Sequence, residues 1–322
     1  MQQIDIIPMC SISPNYITLY QDFIFYNRKY PRKKPEYCLP KDNHHHGKIS
    51  ARANAKISKS INWLLYLSDD KTVFNNLTGA RWKFKIAFIT LTLSSKQIHP
   101  DEVIKKELLN QFLVEARKKW NIKHYVWRAE TQKNGNIHFH ILTDKFIPWS
   151  ELRDTWNRIQ NKLGYVDRYR AEMNKWHSSG FKVRAELLKT WSYKLQLRAY
   201  RTGSRNDFMS PNSSDIHSIG KVKNVSAYLS KYCGKNNDVR ELEGRLWGLS
   251  QSLSSFKNAL TEIYSDIDSE LNWLLNRYAD KIKRYAYFVL IPVPVSQWVH
   301  HKLNMLYNIF LKHVNDYKFQ FT

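Results

Sequence analysis

Apolar and polar positions recur along the chain in two periods, and the switches between them outline its elements. From Ser50 to Leu67 the period is helical. Ile57, Ile61, Leu64 and Leu65 gather on one side with Arg52, Lys56 and Lys59 elsewhere, which predicts a basic amphipathic helix. Phe84 to Leu93 is rich in β-branched and aromatic residues and suits a central strand. Asp101 to Lys119 returns to helical spacing through Val103, Leu108, Leu109, Phe112, Leu113 and Ala116. Tyr125 to Glu130 predicts a second strand. Gln132-Lys133-Asn134-Gly135-Asn136 predicts a turn, because Asn-Gly tolerates the positive φ that a tight hairpin needs. Ile137 to Leu142 then reads as a third strand, so residues 125–142 are expected to form a β-hairpin.

Further on, Trp149 to Leu163 predicts a helix. Residues 164–218 are less regular, with helical stretches near 184–200 and a polar loop at Thr202–Ser214, as an insertion would be. Lys221 to Lys235 has helical character, and Gly244 to Ser250 suits a closing strand and turn. Residues 251–322 predict helices at Leu253–Tyr264, Ile267–Arg284 and Val295–Tyr317, with a break at Pro292 and Pro294. The expected class is α+β, a central antiparallel sheet flanked by helices. Three regions are expected: a basic N-terminal extension with its amphipathic helix (1–80), a central domain (81–250) and a helical C-terminal region (251–322). Within the extension, Arg28 to Pro35 is basic, proline-broken and expected to be extended. There is no internal repeat.

Composition narrows the partners. Against 28 Asp and Glu stand 51 Lys and Arg, a formal net charge of +23, which draws polyanions. With it come 11 Trp, 19 Tyr and 15 Phe, the side chains on which unpaired bases stack. Single-stranded nucleic acid is the expected partner. Three scattered cysteines, Cys10, Cys38 and Cys233, make neither a disulfide framework nor a cysteine-rich zinc site. No apolar run is long enough to span a bilayer and no signal peptide is legible, so a soluble cytoplasmic protein without a membrane partner is expected. A phosphate-binding Gly-x-x-x-x-Gly-Lys-Ser/Thr loop is missing from the sequence, which excludes an ATP-driven helicase of that type.

The chemistry concentrates in Ile137-His138-Phe139-His140-Ile141. Strand side chains alternate between faces, so His138 and His140 share one face while Ile137, Phe139 and Ile141 take the other. Two imidazoles on a rigid strand can hold a divalent metal from one side and leave the rest of its coordination open. Glu130 ends the incoming strand, and the hairpin can bring its carboxylate to the histidines as a third ligand. The internal tract His44-His45-His46 reads as a surface loop. In the predicted helix 221–235, Tyr228 and Tyr232 lie four residues apart and so share a face, with Lys231 and Lys235 in a neighbouring row.

The Phe88–Thr92 strand, then Glu130 with His138-Phe139-His140, then Tyr228-x-x-Lys231-Tyr232-x-x-Lys235, resembles the HUH endonucleases that initiate rolling-circle replication. The doubled tyrosine and the Gly-Arg-Leu-Trp-Gly segment at 244–248 look most like the replication initiators of microviruses, the small single-stranded DNA phages. The resemblance covers roughly residues 81–250. It implies His138 and His140 as metal ligands with Glu130 as the third, and Mg²⁺ or Mn²⁺ as the cofactor. It also implies Tyr228 and Tyr232 as nucleophiles, assisted by Lys231 and Lys235, that nick a single-stranded origin (a hairpin or unwound duplex). The product is a 5′-phosphotyrosine and a free 3′-OH, the strand is rejoined later, and a host helicase and polymerase are implied as partners. A two-tyrosine transposase or relaxase would share this site. A non-catalytic basic nucleic-acid-binding protein would use the same residues for packing alone.

Overall fold

A computed structural model describes residues 4–25, 49–74, 79–219 and 240–320. They divide between two units, one built from the middle of the chain up to Ser250 and one from its two ends.

The chain begins with β1 (Ile4–Ile12) and β2 (Ile17–Phe25), which belong to the unit of the two ends. The middle unit follows with α1 (Ala51–Leu67), β3 (Lys71–Phe74), β4 (Arg81–Phe84) and β5 (Ala87–Thr92). Ser50 caps α1 by accepting from the Ala53 N–H at 3.2 Å, and Ile57, Ile61 and Leu64 are buried as the helical period requires. The next helical run, α2, is continuous from Asp101–Val103 through a π-helical segment, Ile104–Leu109, into Asn110–Trp120. Then come β6 (Tyr125–Thr131), β7 (Ile137–Thr143), α3 (Trp149–Gln160), α4 (Tyr165–Trp176), α5 (Tyr193–Ser204), β8 (Ser214–Ser218) and β9 (Trp247–Leu249).

Five of these strands form one antiparallel sheet in the order β8-β5-β7-β6-β9, with the histidine strand β7 in the middle. One face carries Ile89, Leu91, Trp127, Ala129, Phe139 and Ile141. It is closed by Leu108, Phe112 and Leu113 of α2 and by Leu152, Trp156 and Ile159 of α3, all buried in one core. The other face carries the polar side chains. The hairpin β6–β7 turns at 132–136, where Gly135 has φ +83° and the Gln132 N–H donates to the Asn136 carbonyl at 2.8 Å. The expected α+β class, with its central antiparallel sheet flanked by helices, is what forms.

The ends of the chain make their own sheet. It runs β10 (Ala259–Glu262), β1, β2, β12 (Phe288–Ile291), β11 (Lys283–Arg284). Three helices belong to this unit: α6 (Gln251–Ser255), α7 (Ser265–Arg277) and α8 (Asn304–Gln320). Cys10, Ile12, Ile17 and Ile291 are buried with Ile267, Leu271 and Leu274 of α7 and Leu306 and Phe310 of α8. The Glu270 carboxylate accepts from the Met305 and Leu306 N–H groups at 2.8 and 3.0 Å, satisfying donors at the start of α8. Burial pushes the Cys10 thiol up to about 12, so it stays a thiol at neutral pH.

Secondary structure at the two ends departs from the helical expectation. Residues 259–262 and 288–291 are strands because β1 and β2 offer them partners. Short apolar runs are ambiguous in period, and the partner decides. The flanking regions 1–80 and 251–322, taken separately in the sequence, meet in this sheet, whereas α1 belongs to the middle unit. In 164–218, α4 was not anticipated. Its buried positions are only Tyr165, Val166 and Met173, too few to print a helical stripe.

Arg240, where the described chain resumes, is clamped to the hairpin end of the middle unit. Its guanidinium donates to Asp101 at 2.6 and 2.8 Å and to the Gly135 carbonyl at 2.8 Å. Burial alone would raise the Asp101 carboxyl. Hydrogen bonds from Arg240, Gln97 and the Glu243 N–H outweigh it and hold Asp101 below its ordinary value of 3.8. This stabilisation is therefore complete above that ordinary value and disappears as pH falls through the lower folded value. Asp101→Asn is expected to cost about 2–3 kcal/mol near neutral pH. The gap to wild type should shrink towards pH ~2.5, read from urea midpoints; an equal gap at both pH values would contradict this.

Candidate metal centre

Register builds the site. Glu130 and His138 are direct Cα partners across the hairpin, as are Arg128 and His140. On the other flank Thr92 faces His138 and Thr90 faces His140. Partners in an antiparallel sheet project to the same side, so all six side chains share the face opposite the core. Ile137, Phe139 and Ile141 are at most 2% exposed, and this burial fixes which way the histidines point.

The Glu130 carboxylate sits between the two imidazoles. Its Oε2 lies 3.6 Å from His138 Nε2 and 3.5 Å from His140 Nε2, and its Oε1 lies 3.3 Å from Arg128 Nε. Burial would raise Glu130; the two imidazoles and the Arg128 charge more than reverse this and hold it far below the usual carboxylate range. Glu130 is an anion at any working pH. Arg128, only 3% exposed, answers that negative charge from below.

Thr90 Oγ1 lies 3.2 Å from His140 Nδ1. A hydroxyl accepting from Nδ1–H leaves the Nε2 lone pair aimed at Glu130, the orientation a metal ligand needs. The Phe88 ring packs on the His140 ring at 5.0 Å and on His217 at 5.1 Å, which limits rotation of the imidazole. Sequence reading named Phe88–Thr92 only as a flanking strand and passed over Arg128. Its signal was there: Arg128 precedes Glu130 by two, so strand alternation puts both on one face.

Three observations show that these residues fit a divalent ion. The donor atoms of Glu130, His138 and His140 lie within 4.8 Å of one another. Ligand bonds of about 2.0–2.2 Å at tetrahedral or octahedral angles separate donors by roughly 3–3.5 Å, close to the spacing present. His138 Nε2 is buried without a hydrogen-bond partner, a cost that an ion would remove. Two nitrogens and one carboxylate oxygen suit Mg²⁺ poorly as a full set but Mn²⁺ and related ions well, with positions left open.

Tyr228, Lys231, Tyr232 and Lys235 lie outside the described residues. The chain leaves the sheet after β8, where the Ile219 N–H donates to the Ile86 carbonyl at 3.1 Å, and returns at Arg240 on the hairpin turn. Both anchors belong to the unit that holds the triad.

Residues 86–237 match the family model for the replication-associated protein ORF2. That stretch contains β5, the hairpin, the triad and the Tyr228–Lys235 sequence, and the match supports a replication-associated protein. No curated protein and no solved structure matches the chain. No helix among the described residues is long and apolar enough to cross a membrane.

Titration calorimetry with Mn²⁺ is expected to show one ion per chain. His138→Ala with His140→Ala should abolish it, and Glu130→Gln should weaken it at least ~10-fold. Unchanged binding by the double variant would remove the metal centre from these residues.

Proposed function

We propose that the protein is a rolling-circle replication initiator of the HUH type, which nicks and rejoins single-stranded DNA through a tyrosine. The observation that carries this reading is the Glu130, His138, His140 triad on the middle strand, inside the segment that matches the replication-associated family. The basic charge of the chain supports DNA as the substrate.

Glu130, His138 and His140 would hold the ion, which supplies charge to a non-bridging phosphate oxygen. Arg128 and Thr90 keep Glu130 and His140 in place, and Phe88 restrains the His140 ring. The Tyr228 or Tyr232 oxygen attacks phosphorus; a tyrosyl O–P bond forms as the bond to the 3′-oxygen breaks. The phenolic proton leaves the tyrosine, and the departing 3′-oxygen takes up a proton to become a 3′-OH that can prime synthesis. Lys231 and Lys235 favour the phenolate as it develops, since free tyrosine titrates near pH 10. A second tyrosine four residues away allows a second cut while the first still holds DNA, and the retained 3′-OH then reseals the strand. Mg²⁺ or Mn²⁺ would be the ion, the cytoplasm of a host cell the setting, and a host helicase and polymerase the partners.

The test is denaturing electrophoresis of the protein with labelled single-stranded DNA of candidate origins and Mn²⁺. Wild type should give a slow-migrating adduct that needs the metal. Tyr228→Phe and Tyr232→Phe should each retain one cleavage, and the double variant and His138→Ala none. Salt-sensitive binding with no adduct from folded protein would favour a non-catalytic binder instead.

A further inference from the structure

Between β7 and β8 the chain makes a long excursion that encloses a cavity of about 520 Å³. Its wall comes from α4, the 177–192 connection, α5 and the turn that leads into β8. Rings dominate it. His177 lies within 16° of parallel to Phe181 and 11° of parallel to Phe208, and Tyr200 packs 4.6 Å from His177. Burial lowers the His177 pKa, so at neutral pH the imidazole acts as an uncharged ring. Lys182 and Arg184 bring positive charge to the same lining, and Trp191 stands 40% exposed on it.

The backbone accepts strain to place one of these rings. Asp207 and Phe208 both adopt positive φ, +53° and +57°, which is costly for an aromatic residue. Two ties hold the turn. The Asp207 carboxylate accepts from Arg170 at 2.6 Å and from Asn174 at 2.8 Å, both on α4, and the Phe208 N–H donates to the Gly203 carbonyl at 2.7 Å. A Cβ on Gly203 would stand 2.6 Å from the Phe208 ring, so the ring reaches α5 only because residue 203 is glycine.

Leu93 and Ser94 also line the cavity, and they directly follow Thr92, the Cα partner of His138. The Ser94 N–H donates to the buried Gln160 at 2.8 Å, whereas the Ser94 hydroxyl is buried without a partner. From Thr92 to Ser94 is ~7 Å of extended chain. At ~3.4 Å per nucleotide or more, the cavity wall lies only a few nucleotides along a strand from the triad. Residues 165–204 carry nine Lys and Arg against three Asp and Glu.

We propose that this cavity receives an unstacked base of single-stranded DNA lying beside the cleavage site. The base stacks on the ring cluster, Lys182 and Arg184 meet the neighbouring phosphates, and the Ser94 hydroxyl gains a partner. Stacking of this kind accepts any base and adds affinity base by base. The proposal takes its ligand class from the function proposed above but does not need the cut to occur.

The experiment uses the full chain in EDTA, so that no strand is broken. Thymidine oligomers containing 5-iodouracil are bound and irradiated, the linked residues are mapped by mass spectrometry, and affinity is compared with an abasic backbone of equal length. Links should fall on residues 177–208, with the base-bearing strand preferred at least ~10-fold. Trp191→Ala, at an exposed position that the fold does not need, and Tyr200→Leu should each cut that preference severalfold. Links wholly outside residues 165–212, or a preference unchanged in both variants, would overturn the proposal. Equal linking at the same residues by an iodouracil-bearing RNA oligomer would overturn its assignment to DNA. With metal absent, a failed strand-transfer assay leaves this result standing, and a positive adduct beside negative mapping sinks the cavity alone.

Discussion

One buried carboxylate organises the middle unit. Glu130 lies between two imidazoles with a nearly inaccessible guanidinium behind it, and each of the four depends on hairpin register. A slip of one residue in β7 would send His138 and His140 into the core and bring Ile137 and Phe139 out. The core under the sheet therefore has a chemical role as well as a structural one. Phe139, wedged against Trp127 at 6.4 Å, is what keeps the histidines facing outward. Removing Glu130 would leave Arg128 buried beside two ring nitrogens with no anion to offset it.

The site also shows how a single strand can serve two ends. Along β5, Phe88 and Thr90 steady the His140 ring, and two residues past Thr92 the same stretch of chain becomes the wall of an aromatic cavity. A buried polar network joins the two. Gln160 of α3 accepts from the Ser94 N–H and donates to Ser213, whose backbone carbonyl in turn accepts from Thr92. Metal-binding face, strand end and cavity wall are thus parts of one rigid frame rather than separate loops.

Legibility in the sequence followed period and partner distance. The hairpin at 125–142 was legible because alternation and Asn-Gly both act locally, and Glu130 with its two histidines followed from it. The helix over 51–67 was legible from Ile57, Ile61 and Leu64. What stayed hidden needed a distant partner. The strands at 259–262 and 288–291 exist because residues 4–25 lie between them, and nothing within four or five residues announces that. The cavity stayed hidden for the same reason: His177, Phe181, Tyr200 and Phe208 are scattered over 32 positions and meet only through a glycine and two residues at positive φ. The tyrosine pair at 228 and 232 was read from sequence spacing and lies outside the described residues.

The account stands on the triad as a metal centre engaged with a DNA strand, and diffraction can see both together. Crystals grown with Mn²⁺ and a single-stranded oligonucleotide, measured at the manganese absorption edge, should show an anomalous peak bounded by Glu130, His138 and His140, with a phosphate at its open side. A peak elsewhere on the chain, or none with DNA bound, would contradict the central claim.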